Sequence, residues 1–86
     1  PVRAVTATAP RLVIYSREDC HLCDVMVEDL AAFLAPRGLG FELRDVDADP
    51  ATARRWGLKV PVLTLDGSTV CWGRLDEAKL AGLLAV

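Results

Sequence analysis

With 86 residues, 52% of them hydrophobic and 26% charged, the chain has material for one core and no room for a second. Its net charge of −2 is spread in both signs, without the basic tract that nucleic acid asks for and without an apolar run long enough for a membrane span. Three cysteines are too few, and odd in number, for a disulfide scaffold; a pair with one leftover thiol suits a reducing compartment, so a cytoplasmic location is expected.

Residues 1–10 are small, β-branched and aperiodic. They are read as a disordered leader or added extension, with the domain proper over 11–86. Leu12-Val13-Ile14-Tyr15 is wholly apolar, as a strand buried on both faces would be. Ser16 to Asp19 is a polar turn, and Asp19 is the expected N-cap, which would put Cys20 in the first helical turn. Leu22, Val25, Met26, Leu30, Phe33 and Leu34 then follow helical spacing. Pro36-Arg37-Gly38 ends that helix.

Phe41 to Val46 alternates as a strand with one wet face, Phe41 and Leu43 on one side and Glu42, Arg44 and Val46 on the other. Asp49 caps a second helix with Pro50 at its first position, where the missing N–H costs nothing. Gly57 is the expected left-handed stop of that helix. Pro61 to Leu65 is the next strand, Asp66-Gly67 a hairpin turn and Thr69 to Trp72 the returning strand. Asp76-Glu77 opens a last helix with Leu80, Leu83 and Leu84 on its apolar face. The order is β-α-β-α-β-β-α. The first two strands must run parallel, because a helix crosses between them, and the last two form an antiparallel hairpin.

Chemistry concentrates in Cys20-His21-Leu22-Cys23. A strand, a C-x-x-C at the head of a helix and a distant Val60-Pro61 opening another strand form the outline of a thioredoxin-type redox site. Residues i and i+3 of a first helical turn share a side, so the pair can close to a disulfide with little movement. The helix N-terminus favours the thiolate of Cys20, and Cys23 should lie one turn deeper. That asymmetry makes Cys20 the nucleophile and Cys23 the resolving thiol. Arg17 and His21 would assist the thiolate if they project toward it, while Glu18, Asp19 and Asp24 oppose them.

Three segments carry a resemblance over nearly the whole chain: Tyr15-Ser16-Arg17-Glu18-Asp19-Cys20-His21-Leu22-Cys23, Trp56-Gly57-Leu58-Lys59-Val60-Pro61-Val62 and Trp72-Gly73-Arg74-Leu75-Asp76. Together they resemble the glutaredoxin-like proteins of the thioredoxin fold. More narrowly, they resemble the small bacterial glutaredoxin-like family with Tyr-Ser-Arg-x-x-Cys-x-Leu-Cys near its start. The resemblance implies an α/β thioredoxin-like fold, a four-stranded mixed sheet with helices on both faces. It also implies a cis Pro61 facing the dithiol, with the Val60 backbone turned outward to pair with a substrate segment like an added strand. Substrate contacts then fall to Val60, Pro61, Trp72, Gly73 and Asp76.

The expected activity is reversible dithiol–disulfide exchange with protein or low-molecular-weight disulfides, without a bound cofactor. Glutathione would serve as reductant or substrate, or a thioredoxin reductase as electron source; nucleic acid and membrane are not expected partners. Two departures bear on this. His21-Leu22 stands where glutaredoxins carry Pro-Tyr, and Trp72 replaces the first of two glycines at the glutathione site, which narrows that groove.

Other readings of the same residues are a metal or iron–sulfur module, for which Cys71 is a third thiol, and a non-catalytic partner-binding domain. Mononuclear zinc needs about four ligands, and His21 on a helix points away from its two neighbours. Cys71 is otherwise a structural thiol, and Arg54-Arg55 a solvated helix face.

Overall fold

The computed structural model describes residues 11–85; the expected leader over 1–10 lies outside the described residues. Leu12–Ser16 forms strand β1 and His21–Leu34 helix α1, which passes through a 3-10 turn at Ala35–Arg37 into left-handed Gly38. Glu42–Asp45 is β2, followed by a 3-10 turn at Val46–Ala48 and by helix α2, Pro50–Trp56. Val62–Leu65 and Ser68–Trp72 are β3 and β4, and Glu77–Leu84 is α3.

The four strands lie in the order β2-β1-β3-β4. β1 and β2 are parallel, while β3 is antiparallel to both β1 and β4. This is the mixed sheet of an α/β thioredoxin-like fold. Asp66 and Gly67, both at positive φ (49° and 87°), make the β3–β4 hairpin turn.

Period-two alternation divides the sheet between two apolar layers. Leu12, Ile14 and Leu63 face Met26, Leu30, Phe33 and Leu34 of α1 and Leu80 of α3. On the opposite face, Val62 packs with Val46 and Trp56, against partly buried Tyr15 and Val60. The Tyr15 and Trp56 rings sit 4.6 Å apart, tilted by 36°. One side thus carries α1 and α3, and the other carries α2. No helix among the described residues is long and apolar enough to cross a membrane.

Several local expectations change. Asp19 does not cap α1: it stands at φ 55°, and Cys20, extended at φ −115°, is the cap. The chain reverses one residue later than its composition suggests, because a thiol can occupy a site that aspartate usually takes. Gly57 is right-handed at φ −56°, so left-handed freedom is not why glycine stands there. β2 is an edge strand with every residue exposed, Leu43 among them, whereas Val46 beyond its end is fully buried. The 3-10 turn that follows β2 rotates Val46 out of the strand's alternation and into the second core. Leu22 and Leu83 also lie in solvent rather than in the apolar faces of their helices.

Candidate active site

Strand register gathers the distant segments at one end of the sheet. Tyr15 pairs with Val62, Val62 with Trp72 and Ser16 with Asp45. The residues just past Tyr15, just before Val62 and just past Trp72 therefore leave the sheet together. They are the Arg17–Cys20 segment, Val60-Pro61 and Gly73. The Gly73 N–H donates to the Pro61 carbonyl at 2.8 Å, and Gly73 holds φ 81°, a left-handed turn that glycine makes freely. The Val60–Pro61 peptide is cis, Pro61 is buried and Val60 is half-buried.

Cys20 and Cys23 are joined as a disulfide with Cα atoms 5.2 Å apart, inside the usual span for such a bond. The Cys20 Sγ accepts from the Cys23 N–H at 3.2 Å, and the Cys20 carbonyl accepts from the Asp24 N–H at 3.1 Å. Cys20 thus occupies the N-cap, where helix N–H groups are free and the helix dipole favours negative charge. The two cysteines differ in environment: Cys20 is half-buried, while Cys23 is 2% exposed. His21 and Leu22 between them are exposed, as are Glu18, Asp19 and Asp24.

Arg17 is engaged elsewhere. Its Nε and Nη2 donate to the two carboxylate oxygens of Asp47 at 2.8 and 2.9 Å, and its Nη1 donates to the Gly57 carbonyl at 2.8 Å. The hydrogen bonds from Arg17 hold the Asp47 carboxyl below the usual carboxylate range, and the Arg17 guanidinium is pushed up in turn. Asp47 and Gly57 are the functional candidates that composition and motif miss. Only the parallel pairing of Ser16 with Asp45 brings the turn after β2 beside Arg17, and no pattern in the chain encodes that register.

Trp72 is 57% exposed, with the Lys59 ammonium 5.6 Å from its ring centroid. Asp76 caps α3, accepting from the Lys79 N–H at 3.0 Å. Cys71 is half-buried against the larger core, and burial pushes its thiol up. It lines a shallow cavity of about 470 Å³ with Trp72, Arg74, Asp76 and Lys79. Among the described residues, no group of three or more His, Cys, Asp and Glu side chains is gathered as a metal would require.

The arrangement offers a dithiol at a helix N-terminus, one sulfur reachable and one covered, with an X-Pro loop at the same end of the sheet. Residues 11–85 match the family model described as "Glutaredoxin-like domain (DUF836)". The X-ray structure of protein XcR50 from X. campestris is 36% identical, with a TM-score of 0.68 over 86% of this chain and 95% of that one. The solution structure of Ne2328 from Nitrosomonas europaea is 27% identical, with a TM-score of 0.79 over 87% and 91% of the two chains. Among curated relatives, "Uncharacterized protein Rv0508" of Mycobacterium tuberculosis is 28% identical over 83 residues, 88% of this chain and 84% of the relative.

Proposed function

The chain belongs to the glutaredoxin-like (DUF836) family, and on that footing we propose that it is a small thiol-disulfide oxidoreductase working through Cys20 and Cys23. The observation that carries this reading is the unequal exposure of the two cysteines at the head of α1, Cys20 half-buried and Cys23 2% exposed.

In the reducing direction, the Cys20 thiolate attacks one sulfur of a substrate disulfide. The substrate S–S bond breaks, its other sulfur leaves as a thiolate that takes up a proton, and a mixed disulfide to Cys20 forms. Cys23 then loses its proton and attacks the Cys20 sulfur. The second substrate thiol departs and the Cys20–Cys23 disulfide closes. Two electrons have passed to the substrate, with one proton from Cys23 and one from solvent, and an external thiol reductant restores the dithiol by the same steps in reverse. Glutathione or a thioredoxin reductase system would fill that role, in the cytoplasm.

The substrate we favour is a protein disulfide. Leu22, Leu58 and Trp72 are exposed by 47%, 102% and 57%. They sit in the helix start that carries the dithiol, the loop before Pro61 and the end of β4. Exposed apolar side chains on segments that reach one end of the sheet suit an apolar flank on a partner more than a small, doubly carboxylated peptide. Val60 would pair with the substrate backbone as an added strand, with Pro61, Gly73 and Asp76 shaping the rim. His21, exposed beside Cys20, would tune the potential.

The test is the reduction potential of the Cys20–Cys23 couple, equilibrated first with glutathione and then with a thioredoxin reductase system. It is joined to turnover of a protein disulfide by the wild type and by Cys20→Ser. We expect a couple that equilibrates with one donor and loss of turnover in the variant. Undiminished turnover by Cys20→Ser rejects the assignment.

A further inference from the structure

We infer that Arg17 is a positioning residue: its guanidinium fastens the segment leading to Cys20 onto the segment leading to Pro61, by way of Asp47 and the Gly57 carbonyl. This rests on the dithiol reading above and concerns how the two halves of that site keep their alignment.

Arg17 stands three positions before Cys20, and Gly57 four positions before Pro61. These two segments follow β1 and precede β3, and no regular element joins them beyond the ends of the strands. Arg17 spans them. Three N–H groups on three different nitrogens are committed, two to Asp47 and one to Gly57, all within 2.8–2.9 Å. A planar fork can meet a carboxylate in two places and a carbonyl in a third at once, whereas an ammonium cannot.

Both anchor points are themselves held. Asp47 sits in the 3-10 turn after β2, where the Asp45 carboxylate accepts its N–H at 2.8 Å. Its neighbour Val46 is wholly buried in the second core, and the Val46 carbonyl accepts from the Thr52 hydroxyl at 2.7 Å. Gly57 ends α2, its N–H donating to Ala53 at 2.9 Å, and the next turn is closed by Lys59 donating to the Trp56 carbonyl at 2.8 Å.

Glycine at position 57 fits the tight end of α2 against which the guanidinium lies. Its φ of −56° suits any residue. A Cβ there would meet the Ala53 carbonyl oxygen and lie 3.3 Å from the Arg17 Nη2. The Ala53 carbonyl, one turn back in α2, is what keeps a side chain out, and the guanidinium lies against the surface so left open.

The same contacts argue against Arg17 as the cation that ionises Cys20. Its charge is compensated by Asp47, with Asp45 adding to the negative field around it. A compensated pair exerts a weak field at a third group. The pair is also about half exposed, at 41% and 48% of the two side chains, and exposed pairs add little to global stability. Loss of the clamp should therefore disturb alignment more than folding.

The experiment uses the full chain with Arg17→Met, Arg17→Lys and Asp47→Asn. Three quantities are read: backbone amide shifts of the oxidised protein, kcat and KM for a disulfide-linked peptide, and the pH profile of Cys20 alkylation in the reduced protein. We expect Arg17→Met and Arg17→Lys alike to shift the amides of Leu58, Lys59 and Val60 together with those of Glu18 to Cys20. Peptide kcat/KM should fall about tenfold, as small misplacements of reacting groups do, chiefly through KM. The alkylation midpoint should stay within about 0.3 pH unit, because the charge removed is half exposed and screened by solvent and salt. Asp47→Asn, which leaves the Gly57 contact in place, should give smaller amide shifts over the same residues.

Shifts confined to the neighbours of residue 17 overturn the inference. So does an Arg17→Lys variant that behaves as the wild type. So does a rise of about one unit in the alkylation midpoint of Arg17→Met that lysine restores, which would make Arg17 an electrostatic aid to the thiolate. The amide shifts are read whether or not the protein turns over. Coupled shifts in the variants, together with a wild type that shows no disulfide exchange, would keep the clamp and reject the oxidoreductase reading.

Discussion

Replacing Cys20 by serine should abolish exchange and at the same time make the reduced protein more stable. Cys20 caps α1 through its sulfur, which accepts the Cys23 N–H at 3.2 Å. Sulfur is a weak acceptor, whereas a serine hydroxyl ranks among the best caps and alanine is among the worst, the span being about 1 kcal/mol. A thiol falls between them. Cys20→Ser should therefore gain about 0.5 kcal/mol over the reduced wild type, and Cys20→Ala should lose about as much. A folded unit of this size melts with an entropy worth about 0.16 kcal/mol per degree, so each change amounts to about 3 °C in opposite directions. The assay is thermal denaturation by circular dichroism at pH 5 in excess reductant, where the disulfide is kept open and acid disfavours the thiolate. Turnover of a protein disulfide is measured in parallel. If the serine and alanine variants melt together, Cys20 does not cap the helix in the reduced chain and the geometric basis for its reactivity is lost. The expected order, with serine the most stable and inactive, would mean that a better cap has been forgone for a sulfur that can react.

Three further outcomes follow from single sites. Leu30, wholly buried between α1 and the sheet, should cost about 3 kcal/mol on truncation to alanine; denaturant unfolding checks this, and a loss under about 1 kcal/mol would mean that the α1 layer is loosely packed. Asp47 should titrate below an ordinary aspartate, since hydrogen bonds from Arg17 hold its carboxyl down. Whatever that pair adds to stability is present at neutral pH and is lost as pH falls through the depressed value; a side-chain carboxyl titration by NMR at or above the ordinary value would contradict the pairing. Cys71, pushed up by burial, should alkylate more slowly than Cys20 at pH 8. Stability should decline as pH climbs past about 8.5, where the unfolded thiol ionises first; mass-spectrometric labelling that finds Cys71 modified ahead of Cys20 would refute this.

Much of the fold was legible because it rests on local rules. The apolar Leu12–Tyr15 run, the helical spacing from Leu22 to Leu34, Asp49-Pro50 and Asp66-Gly67 each announce an element through side-chain period, cap or turn chemistry, and the observed elements match them in order. The misreadings fall where two local signals compete. Asp19 is the better cap by type, yet Cys20 is the residue with extended backbone and a side chain turned onto its own helix. Gly57 looks like a left-handed stop and is instead right-handed, with the Ala53 carbonyl one turn back leaving no room for a side chain. Val46 continues the alternation of β2 on paper, but the chain leaves the strand one residue earlier and turns it into the core.

The amino-acid order alone determined that a reactive pair of thiols heads a helix and that a proline loop follows some forty residues on, since both are statements about neighbours along the backbone. Only the folded chain decided that Val60 and Gly73 leave the sheet at the same end as the segment leading to the dithiol, and that Arg17 reaches Asp47 and Gly57. Those facts depend on strand register and on the packing of α1 and α2 over opposite faces of the sheet. Contacts between residues thirty to forty positions apart are selected by burial of the whole core, and a linear pattern does not carry that information.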